Sequence, residues 1–183
     1  MDLILIRHAK AFERDARQWP DDARRPLTEE GVRDFRRLAK QLGRIVPSVE
    51  LVESSSFDRA WATAELLRRR TGWPKPMRAE RLEPDESEGL SSERMQALAR
   101  SIAAMRRLRT VAWVGHEPML SALASLLLTG SPRGMRIEFA KGAALALRID
   151  PISTATEISD ASSVIGRAEL LWMLTPRIVR RMR

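Results

Sequence analysis

The sequence predicts a three-layer α/β/α sandwich around a largely parallel central sheet. Short continuous apolar runs recur along the chain, amphipathic helical patterns separate them, and no repeat or linker interrupts the alternation. These observations predict one domain spanning residues 1–183.

The first run, Leu3 to Ile6, has strand length and no polar alternation, as expected of a strand covered on both faces. A polar stretch from Glu13 to Arg25 follows. "RPLTEEGVRDFRRLAKQLG" then reads as a helix, with Thr28 as N-cap, Glu29 and Glu30 in the first turn, and Leu27 placed to staple onto Val32. Val32, Phe35, Leu38, Ala39 and Leu42 share its apolar face, and Gly43 is expected to close it.

"VELVESS" reads as a second strand and "FDRAWATAELLRRRTG" as a helix ending at Gly72. "PKPMRAERLEPDESEGLS" is rich in proline, acid and serine and reads as irregular, and Met95, Leu98, Ala99, Ile102 and Met105 then mark another helix face. "TVAWVG" is a third buried strand. The helix in "HEPMLSALASLLLTG" has Pro118 near its first position and Gly130 just past its end. "GAALALRI" and "AELLWML" read as strands, joined by the hydroxyl-rich "DPISTATEISDASSVIG" as a hairpin connection or loop. The basic end, "RIVRRMR", is open between a short helix and a solvated tail.

Composition narrows the chemistry. The chain of 183 residues has no cysteine and two histidines, which excludes disulfides, thiolate catalysis and cysteine-ligated metals and leaves little for a zinc site. No apolar run approaches membrane-spanning length, and Asp2 and Arg7 are unlike the start of a signal peptide, so a cytoplasmic protein without membrane attachment is expected. The net charge of +8 is compatible with an anionic partner, although much of the arginine lies at spacings that suit solvated helix faces.

Three strand ends carry distinctive groups: Arg7 and His8 after the first, Ser54 to Ser56 with Arg59 just beyond the second, Gly115 and His116 after the third. Ligands of such sheets bind beyond the carboxyl ends of the strands. One histidine there would be unremarkable, but both of the chain's histidines occupy these positions with two arginines. Guanidinium forks suit phosphate oxygens, and His116 precedes a helix expected to start near Glu117, where the helix dipole favours an anion. A neutral imidazole is a nucleophile, and His8 is the candidate.

"RHAKA", "RPLTEEG", "SSSFDRAWATA" and "VGHEPML", in that order, resemble the motifs of the histidine phosphatase superfamily, a phosphoglycerate mutase-like group defined by an RHG signature. The resemblance is to its small SixA-type phosphohistidine phosphatase branch and extends through "LLWMLTP". It implies that His8 becomes phosphorylated, that Arg7, Arg59 and His116 hold the phosphoryl group, and that neither metal nor cofactor takes part. Ala9 stands where the wider superfamily has glycine and Ser56 where it has proline. Lys10 is read as a surface lysine, and Ser55, Thr63 and Glu117, next to the motif residues, either support them by hydrogen bonds or only satisfy the backbone.

Larger members protonate the leaving group with a carboxylic acid, and the candidates are Glu80 and Glu83, with Asp85 and Glu86 beside them. None stands out by pattern. An imidazole leaving group, with a pKa of about 6.5, needs less help than an alcohol, which favours a phosphohistidine substrate. The segment from Gly72 to Arg109 is too short for a large cap insertion, so the site is expected to be open enough for a phosphohistidine on another protein, with inorganic phosphate as product. Two alternatives carry different consequences: a broad small-molecule phosphomonoesterase for sugar, nucleotide or polyphosphate substrates, and a catalytically degenerate phosphate- or nucleic-acid-binding module. No nucleic-acid-binding motif accompanies the basic tail, and all four pocket residues are present.

Overall fold

A computed structural model of the chain describes residues 1–84, 91–150 and 160–182. Its centre is strand β1 (Asp2–Arg7), in which Leu3 and Leu5 enter one apolar cluster and Ile4 and Ile6 the other. The unbroken apolar run is thus explained: both faces of the strand are covered.

Helix α1 (Glu29–Ile45) is capped by Thr28, whose hydroxyl accepts from the Gly31 N–H at 3.0 Å. Phe35, Leu38 and Leu42 lie fully buried on its inner face, each contributing about 2 kcal/mol of burial. The helix does not close at Gly43 as expected but continues to Ile45. A Cβ on Gly43 would lie 3.4 Å from Thr71, so this glycine serves a close helix–helix approach. Pro47 explains the stop, because the residue before a proline is pushed out of the helical region, and Val46 is extended at φ −126°.

Strand β2 (Leu51–Ser54) leads into helix α2 (Asp58–Thr71), which ends at Gly72 with φ 74°. The segment expected to be irregular contains a two-residue strand, β3 (Met77–Arg78), and a 3-10 turn at Glu80–Leu82 that buries Leu82. A strand so short has no periodicity to betray it. Helix α3 (Ser92–Ala104), strand β4 (Thr110–Gly115) and helix α4 (Met119–Thr129) follow. The last begins two residues later than expected, after a cis Glu117–Pro118 bond, and ends at Gly130 with φ 81°. Strands β5 (Ala144–Ile149) and β6 (Ala168–Leu174) lead to a short helix α5 (Pro176–Val179). Most of the expected hairpin connection, residues 151–159, lies outside the described residues, whereas Ala161–Ser163 forms a 3-10 turn.

The strand order is β3-β2-β4-β1-β5-β6. β1, β4, β2 and β3 are mutually parallel, and β5 runs antiparallel to both β1 and β6. Residues of α1, α2 and α5 pack with Ile4, Ile6 and Val52, and those of α3 and α4 with Leu3, Leu5 and Trp113, giving the three layers. The helix after β1 lies on one face and the helix after the adjacent β4 on the other, so a crevice opens between these two strand ends. No helix among the described residues is long and apolar enough to cross a membrane.

Gly31 ties α1 to the loop after β1. A Cβ there would lie 2.1 Å from the Lys10 carbonyl oxygen. Gly31→Ala, which ordinary helix propensity would make stabilising by up to about 1 kcal/mol, should instead destabilise by about 1–3 kcal/mol. Urea unfolding of the two proteins measures the sign, and a variant at least as stable as the parent contradicts the close approach.

Candidate active site

The register of β1 against β4 pairs Arg7 with Gly115, so the next residues, His8 and His116, emerge side by side. His8 donates its N–H to the Gly115 carbonyl at 3.0 Å and accepts from the Gly142 N–H at 2.9 Å. Its backbone is therefore fixed by β4 on one side and by the approach to β5 on the other. The two imidazole centroids lie 5.0 Å apart with the rings tilted by 52°. Both residues are buried, at 6% and 3% exposure.

His8 Nδ1 lies 2.7 Å from the Ala9 carbonyl oxygen, which can only accept. Nδ1 therefore carries the proton, and Nε2 keeps its lone pair. Burial lowers the His8 pKa to about 3, with the charges of Arg59, Arg7 and Arg25 adding to the effect and the Ala9 hydrogen bond opposing it. His116 is lowered to about 2, by burial first and then by His8 and the same arginines. Both rings are neutral at pH 7.

His116 Nε2 lies 2.9 Å from the hydroxyl of fully buried Ser55, which also accepts from the Phe57 N–H at 3.2 Å. Among the described residues the hydroxyl's proton has no other acceptor than Nε2, which assigns the hydroxyl as the donor. That leaves the proton of the His116 ring on Nδ1, a buried atom with no partner among the described residues.

The two arginines are held from behind. Arg7 donates from Nη1 to the Phe139 carbonyl at 2.7 Å. Arg59, on the first turn of α2 and 4% exposed, donates from Nη1 to the Asp22 carbonyl at 2.7 Å and pairs through Nη2 with the Asp22 carboxylate at 3.0 Å. Burial disfavours the charge of each guanidinium, opposed by Glu117 at Arg7 and by Asp22 at Arg59. The Nε atoms of both are buried without a partner among the described residues, as is His116 Nδ1. An oxyanion supplies the acceptors that such donors lack.

Asp22 and Arg25 escaped the sequence reading. Asp22 accepts from Arg25 Nε at 2.8 Å while holding Arg59, and it begins a 3-10 turn, capped by Asp21, within the stretch that read as merely polar. Burial pushes its carboxyl up, but Arg25, Arg59 and Arg14 outweigh this and hold it below the usual range. Arg25 belongs to the "RPLT" string, and its charge reaches both histidines. No local pattern signals a pairing across the 37 residues between Asp22 and Arg59. Of the two alternatives for Ser55 and Thr63, the structure shows hydrogen-bonded support: Ser55 meets His116, and Thr63 accepts from the Ala9 N–H at 3.0 Å while donating to the Arg59 carbonyl at 2.6 Å.

The carboxyl candidates separate. Glu83 accepts a short hydrogen bond from Ser56, one residue from Ser55, and so reaches the end of β2. Glu80 stays exposed on its 3-10 turn, and Asp85 and Glu86 lie outside the described residues. Glu117 is bonded to the Ser121 N–H and hydroxyl at 2.9 and 2.7 Å, and burial raises its carboxyl against the opposing effects of those bonds and of Arg7. Lys10 pairs with Glu30 at 2.6 Å on the surface. Among the described residues no group of three or more histidine or acidic side chains could hold a metal ion.

Two parallel strands that deliver Arg7, His8 and His116, and a helix that brings Arg59, give a phosphoglycerate mutase-like α/β fold with a basic, anion-suited site. Residues 3–83 match the model of the histidine phosphatase superfamily (branch 1), a span that includes Arg7, His8 and Arg59. The structure of the protein histidine phosphatase SixA complexed with tungstate superposes with a TM-score of 0.74 over 98% of this chain and 99% of that one, at 22% identity. A second structure bearing the SixA name, from Agrobacterium tumefaciens, gives 0.68 over 96% and 97% at 21% identity. A phosphoserine phosphatase from Entamoeba histolytica, solved as its H9A mutant with phosphoserine, gives 0.64 over 96% and 98% at 14% identity. No curated protein sequence matches the chain. At these identities the likeness establishes a shared fold.

Two expectations follow from the histidines. Nitrogen-15 NMR of His116 should show the proton on Nδ1 in the parent, with Ser55→Ala moving it towards Nε2; a parent protonated on Nε2 contradicts the assignment. The second concerns acid stability. A histidine near 6.5 when unfolded and about 3 when folded binds its proton only in the unfolded state between those values, so folding stability falls as pH drops below 6.5. Between pH 7 and 5 each such histidine costs about 2 kcal/mol. His8→Ala should therefore lose about 2 kcal/mol less than the parent over that interval in chemical denaturation, and equal losses would mean that His8 is not held neutral.

Proposed function

We propose that the chain, as one domain spanning residues 1–183, is a metal-independent phosphatase that dephosphorylates phosphohistidine on a protein substrate through a phosphohistidine intermediate on His8. The observation that carries this reading is the fixed tautomer of His8: Nδ1 gives its proton to Ala9, and burial keeps Nε2 unprotonated at neutral pH.

The Nε2 lone pair attacks phosphorus, a new N–P bond forms, and the substrate's P–N bond breaks with its electron pair returning to the departing ring, which leaves as neutral imidazole because its other nitrogen carries a proton. Water then attacks phosphorus, the bond to Nε2 breaks, and inorganic phosphate leaves. Arg7, Arg59 and His116 Nδ1–H take the charge that spreads over the phosphoryl oxygens, a role that magnesium fills in kinases. Asp22 and Thr63 brace Arg59 from its two ends. The oxyanion bound by the similar SixA structure, tungstate, supports a pocket of this kind.

Phosphohistidine on a protein fits an imidazole leaving group, which departs with little acid assistance. A carboxyl for the second step is available in Glu83, beside the end of β2, while Glu80 is exposed on its 3-10 turn. The setting we propose is a cytoplasmic signalling relay, where phosphoryl groups are carried on histidines of proteins. The similar phosphoserine phosphatase favours a second reading, a phosphomonoesterase of small substrates.

Phosphate release from a histidine-phosphorylated phosphotransfer domain, measured with a chelator present, tests the proposal. The parent should turn over and His8→Ala should lose at least ~1000-fold. Arg59→Lys, which keeps the charge but not the fork, should lower kcat/KM by about 10- to 100-fold. Faster turnover of phosphoserine or a sugar phosphate than of the phosphodomain would hand the site to the second reading.

A further inference from the structure

The basic tail that the sequence left open is folded against the body. Thr175 caps α5 by accepting from the Ile178 N–H at 3.3 Å, Val179 is buried in the α1/α2 layer, and Arg180 pairs with Asp34 at 3.5 Å. Between α5, the start of α1 and the turn before β5 lies a cleft of about 600 Å³. Its lining includes Ala9 and Gly142, and the Gly142 N–H holds the His8 carbonyl. One wall of the cleft is therefore the residue after the proposed nucleophile, a single Cα step of about 3.8 Å away along the chain.

The charges of the cleft are uneven. Lys10 and Arg180 are matched by Glu30 and Asp34, which also line it. Arg177 and Arg181 line it as well, are exposed, and have no acidic partner among the described residues. Beside them on the same segment stand two exposed apolar side chains, Ile178 at 44% and Met182 at 49%. This mixture decides between polyanions. A nucleic-acid backbone would gain nothing from Ile178 or Met182. A protein surface that offers spaced carboxylates around an apolar residue matches both.

We propose that this cleft is the docking site for the substrate protein, with Arg177 and Arg181 engaging acidic side chains near its phosphohistidine. The inference rests on the protein-substrate reading above and assigns that substrate its point of attachment. The tail is thereby a recognition element, and the phosphoryl pocket itself reads only the phosphate.

The test compares two substrates on the full chain: a histidine-phosphorylated phosphotransfer domain with an acidic surface, and phosphoramidate, which is too small to reach the tail. For Arg177→Glu/Arg181→Glu, KM for the phosphodomain should rise by about tenfold with kcat nearly unchanged. Turnover of phosphoramidate should stay within about twofold of the parent, which also shows that the variant is folded. In the parent, raising salt towards 0.5 M should raise KM for the phosphodomain alone, as screening of exposed charges requires. Unchanged KM for the phosphodomain, or equal losses on both substrates, overturns the docking site and leaves the protein-substrate reading standing. A parent that hydrolyses phosphoramidate but not the phosphodomain overturns that reading and the docking site with it. Inhibition of phosphodomain turnover by a DNA duplex in the parent but not in the variant would reassign the cleft to nucleic acid.

Discussion

The pairing of β1 with β4 is the constraint on which the rest of this structure depends. Two parallel strands buried on both faces cannot slide by one residue without turning Leu3, Leu5, Val111 and Trp113 out of one core and Ile4, Ile6, Ala112 and Val114 out of the other. The core thus fixes the register, and the register fixes which residues leave the sheet together. His8 and His116 come out side by side because hydrophobic packing elsewhere leaves them nowhere else to go.

What surrounds the histidines is mostly backbone and hydroxyl. His8 is oriented by the Ala9 carbonyl, His116 by the Ser55 hydroxyl, Arg7 by the Phe139 carbonyl and Arg59 by both the carbonyl and the carboxylate of Asp22. Carbonyl oxygens hold cationic donors without cancelling their charge, so the crevice stays positive and its imidazoles stay neutral. A buried carboxylate beside His8 would have done the opposite, by favouring the imidazolium and removing the lone pair. Among the described residues the carboxylate bonded to the four candidates is Asp22, placed on Arg59 and shared with Arg25.

The layers divide the labour. α1 and α2 pack against the β1 face, so that Thr63 on α2 meets the Ala9 backbone and links Arg59 to the loop that carries His8. On the other face α4 begins just after His116, whose carbonyl accepts from the Leu120 N–H at 3.1 Å. The segment between β3 and α3 is too short for a large covering insertion, and α5 packs on the α1/α2 layer through Val179.

The sequence by itself determined the alternation of buried strands and amphipathic helices, because burial on two faces and burial on one leave different local periods in the chain. It also made the candidate residues visible, since apolar runs stop abruptly at Arg7, His8 and His116 and Arg59 follows shortly after the second run. Only the tertiary structure decided what those residues touch. The 37-residue span from Asp22 to Arg59, the contact of Ser55 with His116 across 61 residues, the two-residue strand β3 and the extension of α1 past Gly43 leave no local period. Each arises from the close approach of segments distant in the chain, and such approaches are set by packing rather than by neighbouring residues.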